Sequence, residues 1–422
     1  MEIDPLEDFV AGEPASDAAA SIASEKPPAV SPPAPVRLLS LDAYRGFTML
    51  AMASGGLGLA AVAGQFPESG FWSSVGYHFS HAEWIGCAFW DLIQPSFMFM
   101  VGVSMAFSCA NRAARGQSRR RMLAHAVFRA VFLTLLGVFL RSNGRPLTNW
   151  TFEDVVSQIG LGYVFLFLLW GRGFKVQLSA AGGILLGYWL LFALWPLPGA
   201  DYDWAKVGVG SSWPHKLEGF AAHWNKNANP AHYFDVWLLN LFPRSEPFTA
   251  NGGGYETLSF VPSLATMIFG LLAGEVLRLS WSAERKVGLL AGAGAAGLLL
   301  GELCGAIGLC PVVKRIWTPG WTFFSTGWTL LLLAGFYLVI DRWGLRRWAW
   351  PGVVVGMNSI AMYIMTWLFP GWIRQTVKTH LGADAFEIVG KPYSEFLQRT
   401  FSLVLLFLIC VWMHRRKIFL RV

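Results

Sequence analysis

Ten apolar runs, most of them close to 20 residues long, recur along this 422-residue chain and limit what it can fold into. About 20 consecutive apolar residues are needed for a helix to cross roughly 30 Å of hydrocarbon, and in lipid every backbone N–H and C=O must be satisfied within the segment. The runs fall at about 38–63, 88–110, 122–141, 154–171, 176–196, 258–279, 286–309, 321–341, 351–373 and 397–414. They predict an all-α polytopic membrane protein of about ten transmembrane helices with a long extracytoplasmic loop. Composition agrees: 54% of residues are hydrophobic and 14% are charged.

The net charge of +7 does not point to nucleic acid, because the basic residues are dealt out in short clusters between apolar runs. One set of alternate loops holds Arg112, Arg115, Arg119–Arg121, Arg172, Lys175, Arg278, Arg285, Lys286, Arg342, Arg346 and Arg347, and the basic tail at Arg415–Lys417 belongs to the same side. The opposite short loops hold only Arg141, Arg145, Lys314, Arg315, Arg374, Lys378 and Lys391. That asymmetry predicts both termini in the cytosol. Residues 1–36, rich in Ala, Pro, Ser and acid, read as a disordered cytosolic tail rather than a cleaved signal peptide. Residues 37–196 carry helices 1–5, residues 258–415 helices 6–10, and 416–422 a basic cytosolic tail. Between the two helical blocks, 197–257 is too long for a simple connection and reads as an extracytoplasmic loop or small cap. The five cysteines are scattered, with no C-x-x-C pair, so neither a disulfide framework nor a metal site is expected.

Chemistry concentrates between His81 and Pro95, where a histidine, two acids and a glutamine stand at the mouth of the second apolar run. Ionisable groups at a membrane boundary are costly unless paired or hydrated. His81 is the one side chain there whose ordinary pKa suits proton transfer near neutrality. Glu83 or Asp91 could orient it. In a continuous helix His81 and Asp91 would lie about 15 Å apart, so contact requires the chain to turn back near Gly86 and the helix to begin near Trp90. Pro95 is compatible with such a first turn. The plainer alternative is an interfacial histidine bonded to a loop carbonyl. Asp42 and Arg45, three apart, form either an end-of-helix ion pair or part of an anion site. Gln158, Glu275, Glu302 and Asn358 fall inside apolar runs, as interhelical glue or as the lining of a polar cavity.

The opening Arg-x-x-Ser-x-Asp-x-x-Arg-Gly (Arg37 to Gly46) resembles the start of the heparan-α-glucosaminide N-acetyltransferase family. So does His81-Ala-x-Trp-x-Gly-x-x-x-x-Asp-Leu-Ile-x-Pro95, and weaker matches run through Gln158–Tyr163, Thr257–Pro262, Lys314–Thr318 and Gly356–Ser359. Together they span about residues 37–375, and the chain looks like a bacterial branch carrying a DUF5009-type domain. The resemblance implies an inner-membrane enzyme moving an acetyl group from cytosolic acetyl-CoA to an amine or hydroxyl of an extracytoplasmic saccharide. It implies His81 and Asp91 as the catalytic pair, with His81 either base or acyl carrier. On our own reading, the cofactor's phosphates would lie near cytosolic basic residues such as Arg37, Arg45 and the 112–121 cluster, with Asp42 in the same cofactor site, and Gln158 or Asn358 would serve the developing oxyanion. No metal is expected; the bilayer is a partner and a homodimer is conceivable. Ile85 replaces the family's Asn after the Trp, and 197–257 diverges, which puts the acceptor in question. A glycan or lipid-precursor transporter or flippase, using a polar cavity without chemistry, is the alternative.

The topology is checked by a cysteine at Ser73: an impermeant maleimide added outside intact cells labels it. Labelling only from the cytosolic side would reverse the orientation.

Overall fold

A computed structural model describes residues 38–420, and over these the protein is helical, with one isolated bridge between Ile85 and Val313 as its only β-type pairing. The expected tail at 1–36, Arg37 and the last two residues lie outside the described residues. Eight helices are long and apolar enough to cross a membrane: Leu39–Ala63, Phe89–Ala114, Arg119–Ser142, Phe174–Ala193, Thr257–Arg278, Ala283–Ala306, Pro319–Arg342 and Lys391–Arg415. Each matches an expected run. The two remaining runs differ from simple spans. The fourth forms Val155–Leu169, only 15 residues, or about 22 Å at 1.5 Å per residue. The ninth is a broken pair, Arg347–Gly356 and Ser359–Leu368, bent by 70°. The count of about ten therefore resolves into eight full spans, one broken span and one short helix.

Helix starts are written locally. Ser118, Ser282 and Thr318 each cap the following helix by accepting the N–H three residues on, and Pro319 occupies the first turn, where its missing N–H costs nothing. The first helix begins differently: the carboxylate of Asp341, at the end of the seventh span, accepts the N–H groups of Leu39 and Ser40 at 3.2 and 3.3 Å. A carboxylate there also favours the positive end of the helix dipole.

Lipid supplies little hydrophobic force between helices, so close approach must come from small residues. The first span packs on Arg347–Gly356 through Gly46, Gly352 and Gly356; a Cβ on Gly46 would stand 1.6 Å from the Gly352 carbonyl oxygen. The second span meets the fifth in the same way, with Gly270 pressed on the backbone of Phe99. The buried core follows these seams through Met98, Phe99, Val103, Ile268 and Leu271.

The 197–257 segment is not a free-standing cap. It contains a helix, Pro230–Leu239, and shares an apolar cluster with the membrane helices through Trp84, Phe192, Trp224 and Val313. Trp84, in the His81 loop, donates its indole N–H to the Trp224 carbonyl at 3.0 Å and meets Trp213 edge-on. Gly254 makes room for that ring, since a Cβ there would lie 2.7 Å from it. The segment thus holds the His81 loop in place.

Gly46→Ala is expected to lower stability by about 1–3 kcal/mol through overpacking, read as a lower melting midpoint in detergent. Gly182→Ala, whose added methyl group meets nothing within 4 Å, should leave it unchanged.

Candidate active site

The chain turns back at Gly86, whose φ of 108° is open to glycine, and its N–H is held by the Val312 carbonyl at 3.0 Å. A short turn, Phe89–Leu92, precedes the helix from Ile93. This brings His81 Nδ1 to 2.7 Å from Asp91 Oδ1. Asp91 is fully buried, and its second oxygen accepts the backbone N–H groups of Ala82 and Ala88, both at 3.0 Å. The fourth donor comes from far along the chain: Lys314 Nζ stands 3.1 Å from Asp91 Oδ1 and 3.1 Å from His81 Nδ1. Removing an ammonium and a carboxylate from water is expensive unless they meet with good geometry and every remaining lone pair is used. Here the carboxylate receives four donors.

That arrangement dictates the histidine's chemistry. Nδ1–H donates to the carboxylate, so Nε2 carries the free lone pair. Burial lowers the His81 pKa from its ordinary 6.5, the bond to Asp91 pulls it back up, and the nearby Lys314 charge lowers it again. The ring is therefore neutral at neutral pH, as a proton acceptor must be. The aspartate fixes the tautomer and would offset the positive charge if Nε2 took up a proton.

His81 opens onto a cavity of about 280 Å³ whose polar wall is Gln94, Arg141, Glu153, Tyr255 and Lys314. Arg141 Nε lies 2.7 Å from Asp154, and its terminal nitrogen 3.5 Å from Glu153. Burial pushes the Glu153 carboxyl up to about 7, with Arg141 opposing, so near neutrality it can give or receive a proton. The Asn251-Gly-Gly-Gly motif is an Asx turn: Asn251 Oδ1 accepts the N–H of Gly253 and of Tyr255, directing Tyr255 to the cavity wall. Arg315 ties the same loops together, donating to the carbonyls of Ala82 and Gly253 and lying over the Tyr255 ring.

The other expected site residues divide. Gln158 sits one layer behind, its carbonyl accepting from Gln94 at 3.3 Å and its amide donating to the Glu256 carbonyl. Asp42 and Arg45 form the ion pair their spacing implies, at 2.7 Å, and Arg45 also donates to the Gly356 carbonyl. Asn358 is buried near them, with both ends of its amide engaged by the backbone of Ile418 and Leu420. Asp42, Arg45 and Asn358 thus gather around the broken span; none lines the His81 cavity. The oxyanion role expected of Asn358 has no geometric support, because its amide holds the C-terminal segment. Glu83, weighed as an orienter, instead pairs with His215 at 3.4 Å. Glu275 receives the Gln177 amide as interhelical glue.

Sequence reading passed over Lys314, Arg141 and Glu153 as site residues. A signal was present: Lys314 and Arg141 lie on the side that the charge bias leaves poor in cations, where a basic residue needs a reason other than topology.

No family model matches the chain, and the expected DUF5009-type domain has no support from that quarter. Among curated proteins it is 24% identical over 441 residues to the Homo sapiens heparan-alpha-glucosaminide N-acetyltransferase, covering 92% of this chain and 60% of that one. It is 23% identical over 375 residues to the Mus musculus protein of the same name, covering 78% of this chain and 53% of that one. The chain spans about three-fifths or less of these relatives' length.

Lys314→Met removes a cation that opposes imidazolium formation, so His81 should take up its proton at higher pH than in the wild type. The pH dependence of carbethoxylation at His81 reads this, and Lys314→Arg should restore the wild-type midpoint. An unmoved or lowered midpoint in Lys314→Met would show that the two groups are not coupled.

Proposed function

We propose that this protein is a membrane acyltransferase that moves an acetyl group from acetyl-CoA to an amine or hydroxyl of an extracytoplasmic saccharide, with His81 and Asp91 at its centre. The observation that carries this reading is the buried Asp91 holding His81 Nδ1 at 2.7 Å, which leaves Nε2 free on a polar cavity. The names of the curated relatives support the reaction class.

In the simplest course the acceptor nitrogen or oxygen attacks the thioester carbonyl. The new C–N or C–O bond forms, the C–S bond breaks, and the acceptor's proton passes to His81 Nε2. The thiolate leaves and is protonated to free CoA. Asp91 stabilises the imidazolium formed in between and does not itself take the proton. Should Nε2 carry the acetyl group first, the same tautomer serves, because attack also needs that lone pair. Glu153, with its carboxyl near neutrality, is placed to receive or return a proton on the acceptor side.

For the cofactor's phosphates the fit lies with basic residues of the cytosolic side. Among those described, Arg45 is committed to Asp42 and the Gly356 carbonyl.

Free CoA release by the purified protein, with acetyl-CoA and a panel of amino sugars, tests the proposal. It should depend on acceptor and fall about 10²–10⁴-fold in His81→Ala, the range for loss of a general base. Equal turnover in the variant would remove His81 from the mechanism. Absence of turnover and of saturable acetyl-CoA binding would favour a transporter.

A further inference from the structure

A second polar cavity lies beside the first and is unused by the acyl-transfer chemistry. Its cations are Arg374 and Arg399, which share one carboxylate: Glu395 lies 2.7 Å from Arg399 and 3.8 Å from Arg374. Arg399 lies near the start of the apolar run 397–414, five residues into the helix Ser394–Arg415, about 8 Å along it. Charges at such positions are costly and mark ligand or ion paths. Two guanidinium groups against one carboxylate leave a net positive charge ready for an anion.

The backbone is broken to build this place. Gly55, Gly56, Leu57 and Gly58 all have positive φ, between 50 and 67°, a region that a leucine enters only at a cost. The break turns the Gly55 carbonyl to Arg399, which donates to it at 2.9 Å, and the bare Gly58 leaves room for Glu395. The cavity, about 150 Å³, is lined by Met52, Gly55, Thr366, Arg374, Arg399 and Ser402. Met52 also lines the His81 cavity, so the two adjoin.

The two helices that carry the arginines, Pro370–Leu381 and Ser394–Arg415, also line an apolar groove of about 470 Å³ through Trp372, Ile373, Leu405, Leu408 and Trp412, with Phe369 beside them. Trp372 is 66% and Trp412 55% exposed. The His81 cavity and the paired cations are thus joined through Met52, and the cations and the groove through the two helices they share.

We propose that the acceptor is a saccharide carried on a polyprenyl phosphate: the isoprenoid chain in the groove, its phosphate on Arg374 and Arg399, and the sugar reaching the His81 cavity past Met52. Charge complementarity selects the phosphate, since bidentate guanidinium contacts suit its oxygens. This deepens the reading of the His81 site as an acyltransferase and rests on it.

The probe is a C55 polyprenyl monophosphate added to the full-length protein in detergent, with bound lipid read by native mass spectrometry against phosphatidylglycerol as competitor. Saturable binding that resists an equal concentration of phosphatidylglycerol is expected, weakened at least tenfold in Arg374→Gln and Arg399→Gln. Arg399 also supports the broken turn, so Arg374→Gln decides, because beyond Glu395 Arg374 donates to the Pro370 carbonyl of its own helix. Equal binding by that variant, or displacement by phosphatidylglycerol, overturns the proposal. Wild-type CoA release with soluble amino sugars and acetyl-CoA binding are measured alongside: turnover without lipid binding overturns the lipid-linked acceptor alone, whereas lipid binding with neither turnover nor saturable acetyl-CoA binding overturns the acyl-transfer reading on which it rests.

Discussion

One buried carboxylate sets the terms for the whole end of the molecule that carries His81. Asp91 has no exposed surface, so its charge must be balanced by protein. It is balanced by two backbone N–H groups from the loop that folds over it, by His81 and by Lys314. Leaving any of these donors out would leave part of a buried charge uncompensated. The requirement draws together the 81–91 turn and the 310–318 loop, and the Ile85–Val313 bridge and the Gly86–Val312 bond run alongside. Reactivity and fold are here the same interaction: the carboxylate that organises the loops also orients the imidazole.

Much of this was legible in the residues. Hydrocarbon thickness and the cost of unsatisfied backbone make apolar runs an unambiguous mark of helices, and all ten runs became helical. The return of the chain at Gly86 followed from a simple distance argument, because His81 and Asp91 can meet only if the helix begins after them. What could not be read was anything decided by residues far apart in the chain. Whether an apolar run crosses as one straight helix depends on its neighbours: the Gly352 and Gly356 seam against the first span accompanies a 70° bend, and nothing in Gly-Met-Asn-Ser alone specifies it. Asn358 had the look of a cavity residue because its type was visible and its partners, Ile418 and Leu420, were not.

The cations divide along the same line. Basic residues on the charge-rich side need no partner in protein to account for them, since topology suffices. On the poor side, Arg141, Lys314, Arg315 and Arg374 each engage a carboxylate or a backbone carbonyl. In a membrane protein an exception to the charge bias is therefore more informative than the bias itself. Trp84 and Gly254 show the complementary point for the 197–257 segment: a large side chain and an absent one, 170 residues apart, fit together only once the fold exists.

The contact between Lys314 and Asp91 also bears on how the molecule is made. The two residues are 223 positions apart, so at 5–20 residues per second a ribosome delivers the lysine on the order of ten to forty seconds after the aspartate. During that interval the nascent hairpin holds a carboxylate without its ammonium, which favours keeping this end of the second span hydrated rather than sealed. Arrival of the sixth and seventh spans supplies the missing charge and closes the loops over it. The site is thus completed late in biogenesis, and a chain truncated before residue 314 would lack the cation that its buried acid requires.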